Sequence, residues 1–125
     1  MRKYSPTWKS SKKIKKQRKY RAKAPLHVKQ KFVHSQLSKD LRVKHKKRSF
    51  GVRKGDKVKL MTGNYRNTEG KVERVDIKDQ RVYVAGVEMT KRDGSKKQLG
   101  IHPSNLIIIE LNMDDKQRQK ILERK

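Results

Sequence analysis

VRKGDKVKLMTGNYRNTEGKVERVD, residues 52–76, is the stretch on which the fold turns. In KVKL, Val58 and Leu60 fall on one face with Lys57 and Lys59 on the other, the period-two pattern of a strand with one buried side. GKVERV continues as a second strand in which Val72 and Val75 stand three apart, so a bulge or a change of face is needed. Gly63 and Gly70 bracket NYRNTE, a polar loop too long for a two-residue turn. Glycine at such points lets the chain turn tightly and lets backbone approach a ligand closely.

Downstream the alternation returns in RVYV, with Val82 and Val84 opposite Arg81 and Tyr83. Asp93-Gly94, between VEMTKR and SKKQLGI, marks a tight hairpin. NLIIIEL has few charges and several β-branched residues, as a strand buried on both faces would. Five short strands within about sixty residues predict a mainly β fold, an SH3-like five-stranded barrel, because an open sheet this small leaves its edges unpaired. Beyond it, Asn112 is placed to cap a short helix over MDDKQRQKILER, with Asp114 and Asp115 in its first turn and Arg124 and Lys125 in its last. Ile121 and Leu122 are then available to dock on the barrel or on a neighbouring protein.

Upstream the material changes. The 125 residues carry 37 Lys/Arg against 12 Asp/Glu, a formal charge of +25. Nineteen of the cations and only one acid, Asp40, precede residue 51, so the first fifty residues carry +18. All seven glycines lie later, from Gly51 to Gly100. A segment so charged cannot offset its backbone entropy by collapsing alone, and it is expected to order on a polyanion. The expected layout is a basic extension of short helices over residues 1–50, the barrel over 51–111 and a C-terminal helix over 112–125. In the extension, Ser10 or Ser11 is placed to cap KKIKKQRKYR, Pro25 to open PLHVKQKFV and Ser38 to cap KDLRVKHKK. Tyr4, Trp8, Tyr20 and Phe32 are spaced among the cations either to stack on bases or to anchor the extension on the barrel.

Several function classes are excluded or weakened. No stretch reaches the roughly 18 apolar residues of a membrane span. The N-terminus lacks the apolar core of a secretory signal and is dominated by Lys, unlike an Arg-rich transit peptide. Without cysteine there are no disulfides or thiolate metal sites. His27, His34, His45 and His102 lie far apart and nothing pairs a nucleophile with a base, so neither catalysis, a metal nor a cofactor is expected. A free nucleic-acid-binding protein, either a transcription factor or a DNA compactor, is the alternative, since phosphate binding is blind to nucleic-acid type.

GDKVKLMTGNYRNTEGKV resembles the KOW motif, a β-loop-β element of several ribosomal proteins and transcription elongation factors. With APLHVKQKF, LSKDLRVKH, RSFGVRKGD and above all IHPSNLIIIELNMDD, residues 13–124 resemble the large-subunit ribosomal protein family numbered twenty-four in bacteria and archaea and twenty-six in eukaryotes, in its archaeal branch. The resemblance implies a structural constituent of the large ribosomal subunit in the cytoplasm, bound to its rRNA near the 5′ domain and acting early in assembly near the polypeptide exit tunnel. Its implied partners are large-subunit rRNA, neighbouring ribosomal proteins and tunnel-exit targeting factors, with no homo-oligomer.

Gly63 and Gly70 would shape the KOW loop, and Arg53, Lys54, Asn64, Tyr65, Arg66 and Lys71 would face RNA, with His102 in the turn before the last strand. In the extension the rRNA-binding candidates are Lys12, Lys13, Lys16, Arg18, Lys19 and Arg21, then His27, Lys29 and Lys31, then Arg42, Lys46, Lys47 and Arg48.

Overall fold

The structure, a computed structural model, describes residues 4–124, apart from the side chains of Trp8 and Lys9. The expected role of Trp8 and the place of Lys125 in the last helix lie outside the described residues. KVKL forms β3 (Lys57–Leu60) and pairs antiparallel with β4 (Glu69–Asp76), Val58 standing opposite Gly70. β4 in turn pairs with β5 (Arg81–Val84), and its register shifts between Val72 and Arg74. That bulge brings both Val72 and Val75 opposite inward valines, Val84 and Val82, which answers their three-residue spacing.

The sheet is larger and more open than expected. It has six strands in the order β2-β1-β8-β3-β4-β5, and two of them come from the basic segment: β1 (His34–Leu37) and β2 (Ser49–Gly51). β1 runs antiparallel to β2 and parallel to β8 (Leu106–Glu110), which sits between β1 and β3. A separate hairpin, β6 (Glu88–Thr90) with β7 (Lys96–Gln98), lies between β5 and β8 in sequence. Among the described residues no sheet closes on itself: in place of the closed five-stranded barrel there are an open six-stranded sheet and a separate two-stranded hairpin, with an isolated bridge between Val82 and Ile101. The hairpin diverts the chain between β5 and β8, and β1 and β2 take up the remaining edge of β8.

One core serves the whole. Val33, Leu37, Phe50 and Val52 join Val58, Leu60, Val72, Val82, Val84, Leu106 and Ile108 in it. Burying side chains of this size stabilises by about 1.5–3 kcal/mol each before entropy is charged against it. β8 is not buried on both faces as expected: Leu106 and Ile108 are fully covered, Ile107 and Ile109 are half-covered, and Glu110 is exposed. Its central position comes instead from pairing on both edges.

Gly70 is fixed by space. A Cβ there would lie 2.6 Å from Val84 Cγ1 and 2.7 Å from the Ala85 carbonyl oxygen. Gly70→Ala is therefore expected to destabilise by about 1–3 kcal/mol through overpacking, measured as a shift in urea midpoint at unchanged slope. Gly63 is fixed by conformation: its φ is +83° and its surroundings are open. The Asp93-Gly94 hairpin carries a three-residue loop rather than a two-residue one. The Gly94 N–H donates to Lys91 O at 3.0 Å with Gly94 at positive φ, and Lys91 N donates to Ser95 O.

The helices form from short, weakly apolar pieces. α1 (Ile14–Lys23) buries no residue and begins at Lys13 without a side-chain cap. Ser10 and Ser11 are thus not caps; the Ser11 carbonyl instead accepts from the Gln17 amide at 2.6 Å. Pro25 precedes α2 (Leu26–Lys29), as expected. Ser38 does cap α3 (Lys39–His45), accepting from Leu41 N at 3.4 Å. At the C-terminus the cap is Asp115 rather than Asn112, because α4 (Lys116–Glu123) starts three residues late and Asp115 accepts from Gln117 N.

That delay is imposed by a buried ion pair. Arg118 is 4% exposed and Asp56 is fully buried. Two parallel bonds of 2.7 Å join them, and the Asp56 carboxylate also accepts from the backbone N–H groups of Arg53 and Asn112. Arg118 further donates to the carbonyls of Asn112 and Gly51, and lies 5.2 Å above the Phe50 ring. The pair ties α4, β2 and the turn into β3 to one point.

Candidate nucleic-acid interface

The structure sorts the sequence-derived cations into groups with different freedom. In and before α1, Lys12, Lys13, Lys16, Arg18 and Arg21 are exposed and Lys19 is half-buried. The first turn of this helix contains no acid, so lysines crowd its positive dipole end, an arrangement that favours an external anion. α1 is held in place by rings rather than by an apolar stripe. Tyr4 donates to the Tyr20 hydroxyl at 2.8 Å, Tyr20 meets Phe32 edge-on at 6.1 Å, and Arg21 lies 6.0 Å over Phe32. The bond to Tyr20 and partial desolvation push Tyr4 up to about 12. Tyr4, Tyr20 and Phe32 therefore pack on one another rather than within the sheet core, and each remains only half-buried.

Other candidates are engaged within the chain. Arg42 donates from Nε to Leu37 O at 2.8 Å and from Nη2 to Gln36 Oε1 at 2.9 Å. Lys29 reaches the Lys78 carbonyl, and Lys47 reaches the Ile121 carbonyl. Arg53 pairs with Asp115, whose carboxyl is held below the ordinary carboxylate range chiefly by that bond. Tyr65 rests against the core and gives its hydroxyl to Glu88 O. His102 Nδ1 accepts from Ser104 N, bracing the turn into β8.

The loop between β3 and β4 keeps its other polar groups outward. Asn64, Arg66 and, on β4, Lys71 are exposed, while the loop backbone is closed by Asn67 N to Leu60 O at 2.9 Å and Thr68 N to Tyr65 O at 3.1 Å. Lys46, Arg48 and Lys54 are exposed as well.

Two further features were not picked out from sequence. The β6–β7 hairpin exposes Lys91, Arg92, Lys96 and Lys97; the run KRDGSKK, four cations to one acid, was the available signal. A groove of about 530 Å³ also opens between α2, the start of β1, the turn after β2 and α4. It gathers His27, Lys31, Arg53 and Lys54 from the expected set and adds His34 and Ile121. His34 keeps an exposed edge, yet the groove desolvates its ring and lowers its pKa below the usual imidazole value. No metal-ligating cluster occurs among the described residues, and no described helix is long and apolar enough to cross a membrane.

Residues 11–125 match the family described as eukaryotic ribosomal proteins L26 and their archaeal counterparts numbered twenty-four. The chain is 49% identical over 115 residues to the large ribosomal subunit protein uL24 of Methanosphaera stadtmanae, covering 92% of this chain and 98% of that protein. It is 48% identical over 114 residues to the protein of the same description from Methanothrix thermoacetophila, covering 91% and 98%.

Proposed function

The chain belongs to the ribosomal protein family numbered twenty-six in eukaryotes and twenty-four in archaea, and from that membership we propose that it works in the cytoplasm as a structural constituent of the large ribosomal subunit, binding rRNA through α1, the KOW loop and the cations between them. The family is one of structural proteins rather than enzymes. The observation that carries the rRNA reading is α1: a helix with no buried residue and no acid in its first turn, preceded by Lys12 and Lys13. Such an element gains little from the rest of the chain and much from phosphates.

The sheet acts as a rigid anchor, and the basic segment brings RNA helices together by neutralising their phosphates. RNA shape and splayed bases supply specificity, because the major groove of an A-form helix is too narrow to read. Early action in subunit assembly, a position near the polypeptide exit tunnel and contacts with neighbouring ribosomal proteins and targeting factors belong to the same proposal.

A transcript of the 5′ domain of large-subunit rRNA should bind with an affinity that falls steeply as salt rises; a flat titration would count against the reading. Arg66→Ala, at an exposed loop position, should weaken binding about 3–10-fold and reduce the salt slope by about 0.7–0.9, one phosphate contact. In cells, the protein should sediment with large subunits after a moderate salt wash. Extraction with bulk DNA instead would favour the free DNA-binding alternative.

A further inference from the structure

Arg118, in the lining of the groove beside α4, is the best-buried cation of the fold's described residues. Arg118 is 4% exposed and both of its Nη groups are bonded, but its Nε–H has no partner among the described residues. Buried donors in native proteins are nearly always paired, with protein, water or ligand. Arg118 lines the groove together with the half-buried Val75 and Ile77 and with Ile121, which is 45% exposed. These three aliphatic side chains give the groove an apolar floor.

Its rim is cationic. His27, Lys31 and Lys54 are exposed there, and the one acid in the lining, Asp115, is already neutralised by Arg53. His34, also in the lining, offers an imidazole that can donate or accept. At about 530 Å³ the space lies within the range of small-molecule sites. A bare phosphate would leave the floor unused, and an aliphatic peptide segment would leave the rim unneutralised. A nucleotide uses both.

We propose that this groove receives a single unpaired nucleotide of RNA, its base against Val75, Ile77 and Ile121 and its phosphate at Lys31 and Lys54. The proposal rests on the rRNA-binding reading and adds a defined subsite to it. Splayed, unstacked bases are the usual means by which proteins read RNA sequence.

The test uses the full chain and the 5′-domain transcript, probed with dimethyl sulfate and a 2′-hydroxyl acylating reagent, for the natural protein and for Ile121→Glu. The variant puts a carboxylate into the floor at an exposed position. Binding should weaken about 3–10-fold, and one unpaired nucleotide protected by the natural protein should become reactive while the rest of the footprint stays. An identical footprint with both proteins overturns the proposal and leaves the groove to a protein segment. Should Ile121→Glu melt early, Lys54→Glu at the exposed rim is read in the same way. Absence of any footprint with the natural protein is a separate result, and it removes the rRNA-binding reading itself.

Discussion

Asp56→Ala is expected to destabilise the protein by about 3–5 kcal/mol, with a fall in melting temperature on the order of 10–25 °C. The carboxylate is fully buried and accepts four hydrogen bonds, two from Arg118 and one each from the backbone N–H groups of Arg53 and Asn112. Removing it leaves a guanidinium buried without a counter-charge and two N–H groups without acceptors. The pair is not itself a large net stabiliser, since two ions had to be desolvated to form it. Asp56→Leu combined with Arg118→Met should therefore recover much of the loss. Urea unfolding of Asp56→Leu, Arg118→Met and the double variant measures the coupling; a cost below about 1 kcal/mol for Asp56→Ala would show that the pair is solvated in solution.

The second large effect is on binding. Lys12, Lys13, Lys15 and Arg18 are exposed on and just before α1, and their joint replacement by alanine should weaken binding to the rRNA transcript about 10²–10³-fold near 0.1 M salt. The slope of log affinity against log salt should shrink by about 3, since each phosphate contact contributes about 0.7–0.9. Alanine is the strongest helix former, and α1 buries nothing, so circular dichroism and melting should scarcely change. An affinity within threefold of the natural protein would move the RNA-binding surface away from α1, to the KOW loop or the β6–β7 hairpin.

The readable part of the fold was the part with regular spacing. Val58 and Leu60, Val82 and Val84, and the bulge between Val72 and Val75 follow from period two alone. β1 escaped because its alternation, Val33, Ser35, Leu37, has a serine in the middle. That serine is buried all the same, its hydroxyl donating to the Pro103 carbonyl at 2.6 Å. β2 escaped because Phe50 and Val52 flank a glycine at the end of a run of cations, so charge masked the pattern.

The Asp56–Arg118 pair lies 62 positions apart along the chain, and nothing local distinguishes Asp56 from a turn aspartate or Arg118 from a solvated helix arginine. Within the candidate interface, exposure was legible for α1 from its lack of an apolar stripe, Ile14 and Tyr20 standing isolated among cations. The internal engagement of Arg42, Lys47 and Tyr65 was not, because a long side chain that serves a distant carbonyl carries no mark in the sequence.

The parallel contact between β1 and β8 also bears on how the molecule is made. During synthesis the β1–β2 pair and the β3–β4–β5 meander each emerge whole, but the strand that joins them arrives only with Leu106–Glu110, and the arginine that locks its far end comes eight residues later still. The core is thus completed only once β8 and Arg118 have been made, so the strongly basic first fifty residues precede the strand that unites the sheet by more than fifty positions.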